Sequence, residues 1–456
     1  MSRHLRRCWS DSKVFRVILV LAVLYALLRL AVQGAYLVLL LSQTPGEETL
    51  PEWVGTEGPM IPVDLQVYLD AARRLRLGQE IYAQGSLARL EELFHYAPSV
   101  ALVFIPFLWL QPAVVAAIHT LLHLVAYALL YVWWGRIFRY LRLGHASKML
   151  AWCLPLWLVF SAFWSDLGYL NVYVFMALLS TLAIDAILRR QLGWSLLWSS
   201  IILQVKPQWA FALAVPLFLG QRRFFLKLAV LTLLSYVVIA GATILMMGPK
   251  YGWSQHVEYV RFLARLRRDF PWRTMEKGFL GYNHSITQIV TFVLGATPGT
   301  MRLAFVLKSL ILGPLAIIAV RYASRTEGTP GPSGPRHALD LAFVLYLGAF
   351  IWLDMVWELT LGIALFTYLL ATLERRAQKT LVIALFLPYA LVDLWQLFSV
   401  ALFGMDVIAP GPYVLTDPTI YVPLIMIVML VFYALLIKRL RAVPASQAIE
   451  MRRDES

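Results

Sequence analysis

Asp64 is the acidic residue whose surroundings most suggest chemistry, because it begins an amphipathic stretch just outside a long apolar segment. The residues that follow place Leu65, Tyr68 and Leu69 on one helical stripe and the arginines elsewhere, which is the pattern of an interfacial helix lying on lipid. A carboxylate at the head of such a helix is positioned to act on a lipid-borne substrate. Aspartate also commonly caps helices, and Gly78 would end this one, so a purely structural role for Asp64 is the alternative.

The elements that must position this carboxylate are membrane helices. Hydrophobic residues make up 60% of the 456 residues, the mean hydropathy is +0.70, and apolar stretches long enough to cross a bilayer recur along the chain. Charged residues make up 14%, too few to cover a soluble protein, and the short alternating segments typical of a membrane β-barrel are not seen. The sequence therefore predicts one all-α, polytopic helical membrane domain over residues 1–456.

The net charge of +14 is concentrated in short loops and tails between the apolar segments. Placing these basic loops in the cytoplasm satisfies the positive-inside rule and predicts cytoplasmic tails at residues 1–13 and 439–456. A nucleic-acid partner is not needed to explain the charge. The first apolar run is too long for a cleaved signal peptide and is expected to remain as the first span. The two cysteines, Cys8 and Cys153, are expected in different environments, which predicts neither a disulfide nor a metal site.

Apolar segments and basic loops together predict a topology. The predicted crossings are residues 14–41, 113–135, 148–164, 170–188, 228–247, 300–320, 338–353, 358–373, 380–401 and 420–437. These crossings place all the basic loops in the cytoplasm only on one condition. Two further apolar stretches, 97–111 and 195–220, must each enter and leave the membrane on the same side. Both stretches contain prolines, which remove a backbone donor and disfavour helix in the preceding residue. We therefore expect re-entrant or broken helices there.

Three large loops are then predicted on the outer face, at residues 42–96, 248–299 and 402–419. Active-site residues are expected in these loops, with both chain termini in the cytoplasm and the active site outside it.

A set of residues along the chain carries a family resemblance. The opening motif consists of Asp64, Tyr68, Ala71, Ala72, Gly78 and Tyr82, followed by Phe94, Tyr96, Pro98 and Pro106. The later pairs are Gly168 with Asn171, Lys206 with Pro207, and Asn283 with Ser285. In this order they resemble glycosyltransferase family 87, the polyprenyl-phosphate-dependent α-mannosyltransferase-like members of the GT-C superfamily. The resemblance covers about residues 15–400, and the opening motif is its most specific part.

The chain departs from the family pattern at two places. Members commonly carry a glutamine before the asparagine of the second motif, whereas this chain has Leu170 before Asn171. Many members have a histidine in the late tryptophan-rich segment, which here runs from Trp352 to Glu358. Glu358 is expected to take the place of that histidine; a different substrate and a loss of activity are the other interpretations.

The resemblance implies a GT-C fold and a membrane glycosyltransferase of the cell envelope. Such an enzyme takes a sugar, by family expectation mannose, from a polyprenyl-phosphate donor on the outer side of the cell membrane and passes it to a lipid or glycan acceptor. One carboxylate suffices as general base for an inverting displacement, because phosphate is already a good leaving group, and Asp64 is the catalytic candidate. No cofactor is expected. No metal is expected either, because Asp64 is not part of a DxD-like pair.

Lys206 is the predicted partner of the donor phosphate. Charged residues inside apolar segments are costly, so each is a functional candidate, and Lys206 stands at a proline-induced helix break where a cation and freed backbone groups could hold a phosphate diester. Arg29 and Lys308 are weaker candidates of the same kind. The alternative for all three is snorkelling, or pairing with Asp393 or Asp354.

The remaining candidates would bind substrate. They are Tyr68, Tyr96, Asn171, Asn283, His284 and Glu358. The asparagine–histidine pair stands at a predicted helix start, after a loop that carries Trp253, Trp272 and closely spaced arginines. Such a loop suits sugar binding. It would equally suit contact with the anionic headgroups of membrane lipids.

Two other classes of membrane protein stay open from the sequence. An O-antigen ligase or polymerase would also have many spans and a large external loop, but it would not explain the aspartate helix after the first span. A lipid or sugar transporter would need two matching halves with paired broken helices, and the Lys-Pro break has no evident counterpart.

Overall fold

The computed structural model describes residues 2–42, 61–82, 94–269, 280, 283–323, 335–403 and 418–454. All regular secondary structure in these ranges is helical. The all-α class predicted from the sequence is therefore confirmed.

The described helices are numbered here in chain order. The first ten are α1 Ser2–Asp11, α2 Lys13–Ser42, α3 Val63–Arg76, α4 Pro98–Phe104, α5 Pro112–Tyr140, α6 Gly144–Trp152, α7 Leu154–Val159, α8 Ser161–Tyr169, α9 Tyr173–Leu188 and α10 Leu192–Val205. The others are α11 Val215–Phe218, α12 Arg222–Met247, α13 Pro249–Asp269, α14 Ile286–Leu294, α15 Pro298–Ala323, α16 Pro335–Trp352, α17 Gly362–Thr372, α18 Arg376–Ala390, α19 Val392–Phe403 and α20 Pro418–Asp454. Two 3₁₀ segments, Ile105–Trp109 and Pro207–Ala214, follow α4 and α10.

Five of the described helices are long and apolar enough to cross a bilayer: α2, α5, α12, α15 and the part Val422–Arg441 of α20. Two bent pairs, α6 with α7–α8 and α18 with α19, turn by 51° and 48° and would each make one more span. The helices α12 and α15 leave most of their apolar surface exposed, with Leu233 and Leu310 each more than half exposed, as expected for lipid-facing helices. The chain is a multi-pass membrane protein.

Three other predicted crossings, at residues 170–188, 338–353 and 358–373, fall on α9, α16 and α17. The first and last of these helices have 16 and 11 residues, which at about 1.5 Å per residue is less than the roughly 30 Å of a bilayer core. Most of α16 and residues Gly362–Leu370 of α17 are buried against other helices. These three apolar runs therefore lie in the protein core and not at a lipid-facing surface.

The long helix α2 is fixed to the rest of the protein through a buried ion pair. Its Arg29 lies 2.9 Å from the carboxylate of Asp393 at the start of α19, and both side chains are at most 4% exposed. The Tyr25 hydroxyl, one turn earlier, donates to the same carboxylate. Arg29 therefore pairs with Asp393, which was the structural alternative to a role in phosphate binding.

Lys308 of α15 also has a carboxylate partner. Its ammonium donates to Asp354 Oδ1 at 2.5 Å and to the carbonyl oxygens of Trp352 and Leu353 at 3.0 and 3.1 Å. A cation at these carbonyls is favourable because they lie at the negative end of α16. Lys308 therefore pairs with Asp354, which was the structural alternative to a role in phosphate binding.

The predicted amphipathic helix is α3. Asp64 lies in its first turn, Pro62 precedes it, and Gly78 with φ +68° follows its end. The apolar stripe, including Leu65 and Tyr68, is buried by α4 and the 3₁₀ segment behind it. The stripe thus faces protein, which corrects the expectation that it lies on lipid; periodicity alone does not distinguish the two surroundings.

Both predicted helix breaks are present. The stretch 97–111 forms α4 and its 3₁₀ extension, and the stretch 195–220 is interrupted at Lys206, whose backbone is extended (φ −142°, ψ 90°). α10 has 14 residues, or about 21 Å of helix, and it packs against the 3₁₀ segment Pro207–Ala214. The segment is therefore a broken helix whose two halves are in contact.

The chain ends are helical where they are described. In the predicted N-terminal tail, α1 packs on α6 and buries Cys8 beside Phe15 and Ala151. The predicted C-terminal tail begins inside α20, where Arg439 forms an ion pair with the buried Asp340 of α16. Of the third predicted external loop, residues 404–417 lie outside the described residues.

We expect cysteines introduced at Gln191 and Gln221 to be labelled from the same side of the membrane, because the break at Lys206 would return the chain to the side it entered. Labelling with a membrane-impermeant maleimide in sealed and permeabilised vesicles measures this, in a chain whose Cys8 and Cys153 are replaced by serine. Labelling from opposite sides would refute the hairpin.

Replacing Arg29 with methionine should destabilise the protein by about 3–5 kcal/mol, because the Asp393 carboxylate would stay buried without its cation. Thermal unfolding in detergent measures the loss, and adding Asp393→Leu should recover most of it. Lys13→Met, at an exposed lysine of the same helix, is the matched control. An unchanged Tm for Arg29→Met would contradict this account.

Candidate active site

Asp64 meets the short turn that joins α8 to α9. There the side-chain amide of Asn171 donates a hydrogen bond from Nδ2 to Asp64 Oδ2 at 2.9 Å. The Asp64 side chain is only half-buried. Its place in the first turn of α3, at the positive end of the helix dipole, favours the charged carboxylate.

Asn171 is held in place by its own neighbours. Leu170 adopts the left-handed conformation (φ 53°, ψ 42°), which turns the chain between the two helices. The backbone N–H of Asn171 donates to the carbonyl of Asp166 at 3.1 Å, and its side-chain Oδ1 accepts from the Val172 N–H at 2.6 Å and the Tyr68 hydroxyl at 3.3 Å. The amide can therefore present its N–H groups to Asp64 in one orientation only.

Two buried tyrosines extend this network. The hydroxyls of Tyr68 and Tyr96 lie 3.0 Å apart, and the rings contact edge to face. Burial raises the pKa of both phenols well above the usual value, so both stay protonated at neutral pH. Four of the predicted site residues, from α3, the loop before α4 and the α8–α9 turn, thus share one hydrogen-bonded network.

Lys206 lies next to this network. Its ammonium faces the ring of Tyr96 at 5.0 Å and the ring of Tyr173 at 4.3 Å, both measured to the ring centroid. The charges of Asp64 and Asp166 act on it, but no carboxylate among the described residues lies within ion-pair distance of it. Contact with aromatic faces leaves the positive charge of a cation in place, so the cation can still bind an anionic ligand.

Two polar residues near Lys206 were missed by sequence reasoning. Gln204 accepts a hydrogen bond from the Ser99 hydroxyl at 2.7 Å, and its buried Nε2 finds no acceptor within the described residues. Burial, with a smaller contribution from Lys206, lowers the pKa of His95 to about 3, so this imidazole is neutral. Gln204 stands two residues before the helix break that identified Lys206, and that break was the available signal for it. His95 lies before α4, far from the break in sequence, and has no such signal.

Sequence reasoning also missed His123 and Asp166, which lie directly behind Asn171 and are at most 2% exposed. His123 Nε2 contacts the Asn171 carbonyl oxygen at 2.6 Å. Both belong to apolar segments, where any ionisable residue is a functional candidate. The candidates chosen from the sequence by this rule were all basic, so His123 and Asp166 were not among them.

Asn283 and His284 are fully buried. Asn283 donates from Nδ2 to the Asp354 carbonyl at 2.9 Å and accepts the N–H of Val356 at 3.0 Å. Ser285 caps α14, which confirms the helix start predicted here. Asn283 thus holds the segment after α16 that leads to Glu358, and direct substrate binding by Asn283 and His284 stays a prediction.

Glu358 is half-buried at the end of that segment. The hydroxyl of Tyr389 donates to its Oε2 at 3.3 Å and accepts the Leu359 N–H at 3.2 Å. The charges of Glu358 and Asp64 both act on the Tyr173 phenol. The two carboxylates therefore lie within electrostatic range of one residue.

The helix α13, which belongs to the second predicted external loop, packs on the segment that follows α3. Its Gln255 accepts the Ile81 N–H at 2.9 Å, and its Tyr259 and Phe262 rings contact the ring of Tyr82 at 5.6 and 5.8 Å. Trp253 of the same helix is 64% exposed. Another residue of the predicted sugar-binding loop, at position 272, lies outside the described residues.

Among the described residues, no group of three histidine, cysteine, aspartate or glutamate side chains is arranged to hold a metal ion.

A comparison with protein families finds a match between residues 94–333 and the family described as glycosyltransferase family 87. The match covers more than half of the chain. It includes Tyr96, Asn171 and Lys206 and begins after Asp64. No curated protein and no solved structure matches the chain.

Proposed function

We propose that this chain, which belongs to glycosyltransferase family 87, takes a sugar from a polyprenyl-phosphate donor and transfers it with inversion to an acceptor hydroxyl. Membership of the family makes it a membrane glycosyltransferase. The observation that supports the finer proposal is the half-buried Asp64 carboxylate, held by Asn171, in electrostatic range of the Lys206 ammonium. Mannose is the proposed sugar, by family expectation.

Asp64 is the proposed general base. It would take the proton of the acceptor hydroxyl while the acceptor oxygen forms a bond to the anomeric carbon and the bond from that carbon to the phosphate oxygen breaks. The polyprenyl monophosphate leaves with the bonding electrons. One carboxylate is enough for this displacement, because the leaving phosphate needs no acid.

Lys206 is the proposed partner of the donor phosphate. Its ammonium has aromatic faces beside it and no described carboxylate within ion-pair distance, so it would stabilise the negative charge that grows on the departing phosphate. Gln204, two residues before the break, has a buried Nε2 with no acceptor among the described residues, and the charge of Lys206 also acts on His95.

The sugar itself is proposed to lie between Asp64 and Glu358. Tyr173 is influenced by the charges of both carboxylates, and Tyr389 orients Glu358 so that an oxygen could accept hydrogen bonds from sugar hydroxyls. Tyr68 and Tyr96 would support the site from behind, since both are buried.

The proposed location of this reaction is the outer face of the cell membrane, with both termini in the cytoplasm. What supports this orientation is the concentration of basic residues in the loops on the side opposite to α3 in the predicted topology.

Asp64→Asn should lower kcat by about 10²–10⁴-fold, the usual contribution of a general base, while the donor KM changes little. The assay is transfer of labelled sugar from polyprenyl-phosphate mannose to acceptors in membranes that contain the protein. Asp70→Asn is the matched control, because Asp70 lies on the same helix and pairs with Arg73 at the surface. Full activity of Asp64→Asn would remove Asp64 from the mechanism.

Lys206→Met should raise the donor KM by about 10–100-fold, the value of a hydrogen bond to a charged group, and Lys206→Arg should recover part of the loss. Lys227→Met, at an exposed lysine of α12, is the control. Donor KM is measured with the same labelled lipid over a range of concentrations. An unchanged KM for Lys206→Met would exclude the phosphate role.

The same assay separates the other classes of protein. Label that crosses the bilayer without reaching an acceptor would indicate a transporter. Transfer of a whole preassembled glycan instead of one sugar would indicate a ligase.

A further inference from the structure

The turn that carries Asn171 rests on a buried pair of ionisable side chains, and we propose that this pair, His123 and Asp166, positions the Asp64 carboxylate for catalysis. The inference rests on the proposed function, because it assigns a role that acts through the proposed base. Neither residue contacts Asp64 itself, so both would be positioning residues.

His123 is fully buried on α5, and both of its ring nitrogens face oxygen atoms. Nδ1 lies 2.9 Å from the carbonyl oxygen of His119, and Nε2 lies 2.6 Å from the carbonyl oxygen of Asn171. Carbonyl oxygens only accept hydrogen bonds, so the ring can hold both the α5 backbone and the Asn171 turn only as a donor. Phe175 packs against the ring at 4.5 Å and fixes its plane.

Asp166 contacts the same ring. Its Oδ2 lies 3.3 Å from His123 Nε2, and the carboxylate accepts the backbone N–H groups of Tyr173 at 3.2 Å and Val174 at 2.8 Å. Those N–H groups belong to the first turn of α9, so Asp166 also satisfies donors that the helix start would leave unpaired. The pair therefore joins α5, α8 and the beginning of α9.

Asn171 transmits this arrangement to Asp64 within a single residue. Its carbonyl is held by His123, its N–H by the carbonyl of Asp166, and its side chain by Tyr68 and Val172, while Nδ2 bonds to Asp64. A shift of the turn would move Nδ2 and release or rotate the carboxylate. A displacement of about 1 Å at a catalytic group can cost 10²-fold in rate.

The experiment measures kcat and KM of purified full-length variants with polyprenyl-phosphate mannose as donor, and Tm in the same detergent. His123→Gln keeps a side-chain N–H donor but loses the ring and its two-sided contact, and Asp166→Asn keeps the shape of the side chain but loses the carboxylate. Each should lower kcat on the order of 10–100-fold with a donor KM within about threefold of the unchanged protein. His337→Gln, at a buried histidine of α16 beside Tyr322, should lower Tm without a comparable loss of kcat.

A double-mutant cycle separates positioning from general support of the fold. In an Asn171→Ala background, which already lacks the amide, His123→Gln should cost less than about twofold more in kcat, because its effect passes through the missing group. Full additivity of the two losses would overturn the proposal.

The remaining outcomes separate a failure of this inference from a failure of the proposed function. Normal kcat in folded His123→Gln and Asp166→Asn, with Asp64→Asn inactive, would overturn this inference and leave the proposed function intact. Normal activity of Asp64→Asn would instead remove Asp64 from the mechanism, and this inference with it, while a lack of transfer by the unchanged protein would overturn the proposed function. If one variant does not fold, the other carries the test, and if neither folds, the pair is required for the fold and the positioning role is withdrawn.

Discussion

A bilayer interior makes an unpaired charge costly, and the described part of the chain meets this constraint by pairing buried charges between helices. The pairs are Arg29 with Asp393, Lys308 with Asp354, and Arg439 with Asp340. The contact between the buried ionisable side chains of His123 and Asp166 acts in the same way. Each joins residues far apart in sequence, so each also fixes two parts of the helix bundle relative to one another. Lys206 differs from the three paired cations, because no described carboxylate is within ion-pair distance of it; the rings of Tyr96 and Tyr173 lie beside it. Under the proposed function, its charge would bind the donor phosphate.

Much of the candidate site can be predicted from the sequence, because its residues stand where local rules are broken. Asp64 begins an amphipathic segment after an apolar one, Lys206 precedes a proline inside an apolar run, and Asn171 lies where two apolar runs meet. Features of this kind need one sequence and no knowledge of tertiary contacts. That Tyr68 and Tyr96 belong beside them followed from the family resemblance, since nothing in their local pattern brings the two together.

The features that could not be predicted from the sequence depend on which helix surfaces contact one another in the folded protein. The apolar stripe of α3 has the same periodicity whether lipid or protein covers it, and the apolar run of α17 has the same hydropathy in either place. Asn283 bonds to backbone groups after α16, and backbone partners leave no trace in a side-chain pattern. The His123–Asp166 pair links positions more than forty residues apart, and its distance is set by the packing of α5 on α8 and α9.

The short, enclosed helices have a consequence for biogenesis. Insertion by the translocon depends on length and hydrophobicity, and the 11 residues of α17 fall well below the roughly 20 that insert on their own. α17 packs against α6 and α18, and α16 packs against α20, which is made more than sixty residues later. The enclosed helices must therefore enter the membrane together with their neighbours, and the core closes only after α20 has been made. Until then the Asp340 carboxylate lacks Arg439, the cation that pairs with it in the folded protein.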